Sequence, residues 1–478
     1  MCPQSLVAAN NRLNHRSFSS LLACSFTALM LVLSVGQLAA QTVKTIRSFN
    51  GTDGSAPVRV LLTQGRDGKL YGTTAIGGTN GSGTIFKQRT VGTASVVLYN
   101  FTGPDPVFPQ GGLILARDGN YYGTTSSGGS AGIGTLYRIN SAGKLTVLYS
   151  FTGAGDGAFP NGSPIEAFDG NLYGTTNGST SQNSTVYRFT PSGTFSTIYT
   201  FDSASGYAPA APLLQATDGT LYATTTSGGA SGAGSIVQLT TAGTLVNKHG
   251  FDSSIEGAVP LAPLIQASDG NFYGTANSGG AHGGGTVFRL GTDWTFTVLH
   301  SFASILNDGS DPAFGLTQGT DGNLYGGTAG GGTDSAGSLF QVSLSGTYVQ
   351  LYSFPATQKA PLQEPNTPVQ YTGGIFYGVT QAGGANGLGS VYTLDMGLGP
   401  FIAFVRAQGK VGTKAQILGQ GFTEATSVTF NGVPATSFNI VRDTYMTAVV
   451  PDGSTTGPVV VKTPTGSLTS NVSFRVSK

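Results

Sequence analysis

The sequence predicts an all-β chain: a seven-bladed β-propeller of four-stranded antiparallel blades, followed by a small β-sandwich. Three observations predict it. A tyrosine closing an apolar pair recurs at Tyr71, Tyr122, Tyr173, Tyr222, Tyr273, Tyr325 and Tyr377, a period near 51 residues. Six copies hold four short runs of strand-like alternation separated by turn residues and the seventh holds three, with no helical period. The repetition stops after Asp395, and the rest alternates apolar and polar positions on a different spacing.

Composition narrows the function. Of 478 residues, 23 are Lys or Arg and 22 are Asp or Glu, a formal net charge of +1. Only 9% of residues are charged, against about 25% in an ordinary soluble domain. That leaves no basic excess to neutralise phosphates, so no nucleic-acid partner is expected. Cys2 and Cys24 both precede Ala40, so the chain beyond it has no disulfide, thiolate metal site or Cys nucleophile.

The N-terminus has the three-part pattern of a secretory signal: Arg12 and Arg16, an apolar run from Leu21 to Val35, and small residues at Ala39-Ala40. Residues 1–40 are read as a signal peptide cut after Ala40. At ~15 residues the run is short of the ~20 needed to span a bilayer. No membrane span is expected after cleavage, and the protein is expected to be secreted or on the cell surface.

The repeats occupy residues 41–396. In the fifth copy, Pro263 to Ala267 is the first strand and Asn271 to Thr275 the second. Asp269-Gly270 between them is expected to form a type I′ turn with positive φ at both residues. A loop of small residues, Ser278 to Gly285, leads to the third strand, Thr286 to Leu290, and a polar turn leads to the fourth, Thr295 to Phe302. The Asp-Gly turn recurs at Asp67, Asp118, Asp169, Asp218, Asp269 and Asp321, four residues before each Tyr; the seventh copy has Gly373-Gly374. The seventh copy also stops after three strands, near Leu394. Phe49 ends the segment Thr42 to Phe49 as Phe101 and Phe151 end fourth strands, so that segment is expected to close the last blade and remove an open edge.

The Asp-Gly-x-Leu-Tyr-Gly-Thr-Thr core and the Gly-Gly…Gly-Thr-Val-Phe that comes after it resemble the Gloeo/Verruco (GloVer) tandem repeat over roughly residues 42–395. The resemblance implies an exported or surface-anchored bacterial protein and no particular activity. A kelch assignment would need a Trp in every blade, and Trp294 is the only one. The third copy departs from the pattern: Asn177 to Asn183 replaces the Gly-rich loop.

Residues 400–478, beyond the linker Gly397-Leu398-Gly399-Pro400, have a small β-sandwich pattern. Gly419-Gln420-Gly421-Phe422, Val428-Thr429-Phe430-Asn431-Gly432 and Gly457-Pro458-Val459-Val460-Val461 resemble the IPT/TIG immunoglobulin-like family. That resemblance implies a spacer or packing module without catalytic residues.

No catalytic constellation is visible, and no cofactor or metal is expected. His249 and His300 occupy a position where other copies carry Tyr, which reads as structural; His282 stands alone in a Gly-rich loop. The Asp-Gly acids read as turn formers, since calcium-loop ligand spacing is absent. The remaining candidates are Asp53, Asp105, Asp156, Glu256 and Asp308, in the blade-to-blade connectors. They are expected to encircle the mouth of the central channel as a diffuse negative rim, with at most one pair, such as Asp105 and Asp156, sharing an ion. The leading expectation is a non-enzymatic exported protein that binds polysaccharide or a surface protein. The alternatives are a glycan lyase or hydrolase and a purely structural envelope component.

Overall fold

The computed structural model describes residues 41–92, 95–103, 106–178, 183–303, 308–355 and 363–477; the segment read as an export signal, residues 1–40, lies outside them. Among the described residues, every strand belongs to one compact unit, Thr42–Lys478.

Each repeat folds as one antiparallel sheet in chain order. In the first, Thr63–Gln64, Leu70–Thr74, Thr84–Gln88 and Ser95–Asn100 lie side by side. The same order recurs in 114–150, 165–200, 214–250, 265–301 and 317–353. In the last, Val369–Gln370 and Gln363–Pro365 pair with Phe376–Ala382, which pairs with Ser390–Asp395. Thr42–Ser48 then pairs antiparallel with Ser390–Asp395, Thr42 opposite Asp395 and Ser48 opposite Ser390. The edge that the seventh copy would expose is thereby covered by the first described strand.

The first strand of each sheet is shorter than expected: in the fifth copy the ladder spans only Ile265–Gln266. The Asp-Gly turn also differs from the expectation. Gly270 has φ 84°, whereas Asp269 keeps negative φ. The Gly270 N–H donates to Ala267 O and the Ala267 N–H to Asn271 O, both 2.9 Å. This is a three-residue hairpin loop with glycine in the left-handed position, which needs only one positive φ.

Side chains of the repeat core fit one another across the sheet. The Gly after each Tyr faces the aromatic of the third strand, as in Gly72↔Phe86, Gly123↔Tyr137 and Gly274↔Phe288. A Cβ there would collide with the ring. In the fourth copy both partners change together, to Ala223↔Val237. Of the next two threonines, the first reaches the neighbouring sheet: Thr73 Oγ1 donates to Gly111 O (2.7 Å) and Thr124 Oγ1 to Gly162 O (2.8 Å). The second meets a hydroxyl within its own sheet, as in Thr125···Thr135 at 2.8 Å.

Adjacent sheets share a joint that no motif announced. A non-glycine residue before proline adopts a left-handed φ in every copy: Ala56 48°, Phe108 57°, Phe159 56°, Ala208 57°, Val259 55°, Asp311 56° and Glu364 52°. Such a conformation costs on the order of 1–3 kcal/mol and persists only where its surroundings over-determine it. They do so here. The Phe159 N–H donates to Ile133 O in the preceding repeat (2.8 Å), and Phe159 O accepts from the Asn177 N–H (3.2 Å). The next residue, proline, packs on the glycine that opens the preceding third strand. A Cβ on Gly134 would lie 2.6 Å from Pro160 Cδ, and one on Gly389 would lie 2.9 Å from Pro57 Cδ. The last repeat therefore meets the first through the same joint that links the others.

The C-terminal segment forms two four-stranded sheets and a parallel pair, Gln408–Lys410 beside Arg475–Ser477. Ala403–Phe404, Lys414–Leu418, Tyr445–Val449 and Phe438–Arg442 make one; Val433–Pro434, Ser427–Phe430, Val459–Thr463 and Gly466–Thr469 make the other. Ile417 and Met446 from the first, Val428, Phe430 and Val461 from the second, and Phe474 share one buried core.

Candidate functional site

The connector acids lie at the outer strands of their own sheets. Asp156 accepts from Tyr149 Oη (2.8 Å), the Thr152 N–H (2.8 Å) and Thr152 Oγ1 (3.0 Å). Glu256 meets His249 Nε2 at 2.9 Å and accepts from the Asp252 N–H. Asp308 meets His300 Nε2 at 2.8 Å. Asp53 pairs with Arg47 at 2.7 Å and accepts from the Asn50 N–H. Asp105 lies outside the described residues, and with it the expected Asp105–Asp156 pair. Burial alone would raise the Asp308 carboxyl; hydrogen bonding from His300, Tyr348 and the Gly309 N–H, with the charge of His300, outweighs it and holds it below the usual carboxylate range.

These contacts explain the tyrosine-or-histidine position of the fourth strand. The ring stacks on an aromatic of the next repeat: Tyr149 on Phe195 (3.9 Å), His249 on Phe296 (4.7 Å) and His300 on Tyr348 (3.8 Å). Its polar tip holds the acid of its own connector. Sequence reasoning separates these histidines from these acids; their seven- or eight-residue spacing is the signal that joins them. His282 is exposed, with Nδ1 3.1 Å from Ser301 O.

None of the four described acids lines the cavity at the sheets' first strands. That cavity is lined by segments 59–61, 111–112, 161–163, 210–212, 261–263, 313–315 and 366–367 and holds about 40 Å³, room for a few waters and too little for a sugar ring. The connectors start at the opposite edge of each sheet, and their acids bond there. Among the described residues Arg59 is the only charged one in the lining, and burial lowers its pKa from the ordinary value. Among the described residues no three His, Cys, Asp or Glu side chains come together as metal ligands.

The Asp-Gly acids do more than turn the chain. Asp169 accepts from the Asn171 N–H (3.0 Å) and from Tyr173 Oη (2.7 Å); Asp67, Asp118, Asp269 and Asp321 likewise hold the Tyr four residues on at 2.7–3.0 Å. Asp218 instead accepts from the Thr220 N–H and hydroxyl. Burial would raise Asp118, Asp169 and Asp269, but these donors outweigh it and hold all three low. Burial, then the Asp169 hydrogen bond and charge, pushes the Tyr173 hydroxyl up to about 12.

The C-terminal module docks on these turns. It bonds the residue just before the Asp-Gly position in five repeats. Thr444 Oγ1 donates to Arg66 O (2.8 Å) and Gln416 Nε2 to Arg117 O (2.9 Å). Arg406 donates to Phe168 O, Arg475 to Thr217 O, and the Phe401 N–H to Thr372 O (2.9 Å). Arg66 returns a bond to Gln416 Oε1 (2.7 Å) and lies over the Tyr445 ring at 4.7 Å. Most of these bonds end on backbone carbonyls, so the turn sequences carry no mark of them.

Sheets of one topology, repeated along the chain and joined by one recurring contact, define an all-β repeat protein with a β-propeller-like fold. The Gloeobacter/Verrucomicrobia repeat matches residues 35–217 and 205–392. The chain belongs to that family. No curated protein matches it. Among solved structures it is similar to a fungal alcohol oxidase of the AA5 family in complex with copper, at 13% identity over 89% of this chain and 98% of that one, TM-score 0.49. It is also similar to a putative 6-phosphogluconolactonase from Bacteroides uniformis (15% identity, 68% and 94% covered, TM-score 0.44). A gluconolactonase from Xanthomonas campestris matches at 12% identity, with 75% and 90% covered and TM-score 0.40.

Proposed function

We propose that this is an exported, non-enzymatic binding protein of the cell surface or extracellular space that recognises polysaccharide. In this reading the repeats form a closed seven-bladed propeller and residues 400–478 an IPT/TIG immunoglobulin-like module. Closure is supported by the Pro57–Gly389 joint, equivalent to the other joints, and by the seven segments around one narrow cavity. Export is supported by the signal pattern of residues 1–40.

The observation that carries the non-enzymatic reading is the state of the acids. Asp53, Asp156, Glu256 and Asp308 are each engaged by donors of their own or the adjoining strand. Groups spent on holding loops are poorly placed for proton transfer to a substrate. A screen of extracellular polysaccharides that tracks both binding and release of reducing ends tests this. Saturable binding without release is expected; release that depends on Asp156 or Glu256 would replace the reading with a glycan hydrolase or lyase.

A further inference from the structure

We propose that an anionic saccharide binds in the cleft where the second and third repeats meet the C-terminal module. The inference rests on the reading of the protein as polysaccharide-binding and names the site and the chemistry of the sugar.

The cleft holds about 480 Å³, within the ~300–1,000 Å³ range of small-ligand sites. Three cations line it from separate elements: Arg117 from the Asp-Gly turn of the second repeat, Arg138 from that repeat's third strand, and Lys414 from the module. Arg117 is held in place by Glu166, which accepts from its Nε (2.7 Å) and its backbone N–H (2.9 Å). That grip leaves both Nη groups without a bond to any described residue, and the side chain is 43% exposed. Lys414 is exposed and makes no ion pair with a described acid. A second cavity of about 280 Å³ shares Arg138 and adds Lys144, Asn120 and Asn140. The two cavities together carry four cations against Asp118 and Glu166.

The mixture of groups selects the ligand class. A planar guanidinium with free Nη groups suits the two oxygens of a carboxylate or sulfate. The amide nitrogen of Asn140, whose oxygen alone is engaged, by the Ala142 and Lys144 N–H groups, suits a sugar hydroxyl. Asp118 and Glu166 would repel a chain with a phosphate at every unit, whereas a saccharide with spaced anions also offers hydroxyl donors to those acids. The module supplies Lys414 and, through Gln416, fixes the Arg117 carbonyl. Its docking therefore completes the cleft.

The test is calorimetric titration of the full chain with oligogalacturonate, with its methyl-esterified form and with a sulfated galactan oligosaccharide. Binding of either charged oligosaccharide but not of the ester is expected, and comparing the two charged arms identifies the anion. Arg138→Gln with Lys414→Ala is expected to weaken it by roughly tenfold or more, with the melting temperature unchanged. Lys414→Glu alone, an exposed change on the module, is expected to weaken binding even if the double variant proves unstable. Equal binding of the ester would overturn the anionic class while sparing the polysaccharide reading. Charged-sugar binding that Lys414→Glu leaves untouched would overturn the site. Failure of every polysaccharide, neutral ones included, would remove both.

Discussion

The joint between the second and third repeats and the joint between the third and fourth solve one problem with different chemistry. At the first, Gly134 opens the third strand at φ 115° and lies against Pro160. The incoming Phe159 N–H is met by a backbone carbonyl, Ile133 O. At the second, Ser184 stands where the other copies have glycine, and its φ is not positive. Its hydroxyl accepts the Ala208 N–H at 3.0 Å and donates to Asn177 O at 2.6 Å. The third repeat lost its glycine loop and kept the joint. What the joint requires is an acceptor for one N–H, and glycine is one way to bring a carbonyl there.

The severest test removes a joint's support outright. Deleting residues 42–49 strips the strand paired with Ser390–Asp395 and the fully buried Phe49. Loss of a buried Phe side chain alone costs about 3–5 kcal/mol. The repeats are expected to lose a cooperative thermal transition, read by near-ultraviolet circular dichroism. An unchanged midpoint would show that closure contributes nothing.

Gly389→Ala comes next. The added methyl would crowd Thr380 O and Pro57 in a left-handed backbone, an expected cost of about 3 kcal/mol. Gly387→Ala is its control, with φ 72° and open space around the new methyl; only the backbone cost of about 1 kcal/mol applies. Urea titration of both measures the steric part, and equal losses would deny the joint its packing role.

Ser184→Ala sharpens the comparison itself. It leaves the Ala208 N–H without its acceptor, at an expected loss of about 1–3 kcal/mol. Ser184→Gly is expected to regain part of that only if the strand turns to present a carbonyl. A Ser184→Ala protein that unfolds at the wild-type urea midpoint would refute the substitution of hydroxyl for carbonyl.

The smallest effect concerns the turns. Tyr173→Phe removes the donor to Asp169 and is expected to cost about 1 kcal/mol. Asp118, Asp169 and Asp269 have folded pKa values below their unfolded ones. Their contribution is present above the unfolded value of about 3.9 and disappears as pH falls through the lower folded values. Tyr173→Phe is therefore expected to matter at pH 7 and less near pH 3, by urea denaturation at both. A loss that does not change with pH would mean the hydroxyl acts through packing alone.

The sequence periodicity made the strand order and the Asp-to-Tyr spacing legible, because both come from local alternation and turn chemistry. The seven prolines of the joint recur as regularly but lie among connector residues of no common type, so their left-handed partners gave no compositional signal. The connector acids were visible as acids; their partners were not, since Tyr149, His249 and His300 read as aromatic positions. The turn type was misread because Asp-Gly suits two hairpin loops, and only the backbone distinguishes them. The module's contacts to turn carbonyls were invisible because any residue supplies a carbonyl.

The position of Thr42 opposite Asp395 has a consequence for how the chain could be recut. Those two residues are neighbours at the same end of one ladder, as Ile139 and Leu145 are at the end of theirs, where five residues bridge the gap. A short turn could therefore join Asp395 to Thr42. New termini could then open in any exposed connector without removing a Gly–Pro contact. The contacts among the repeats therefore do not depend on which of them comes first in the chain.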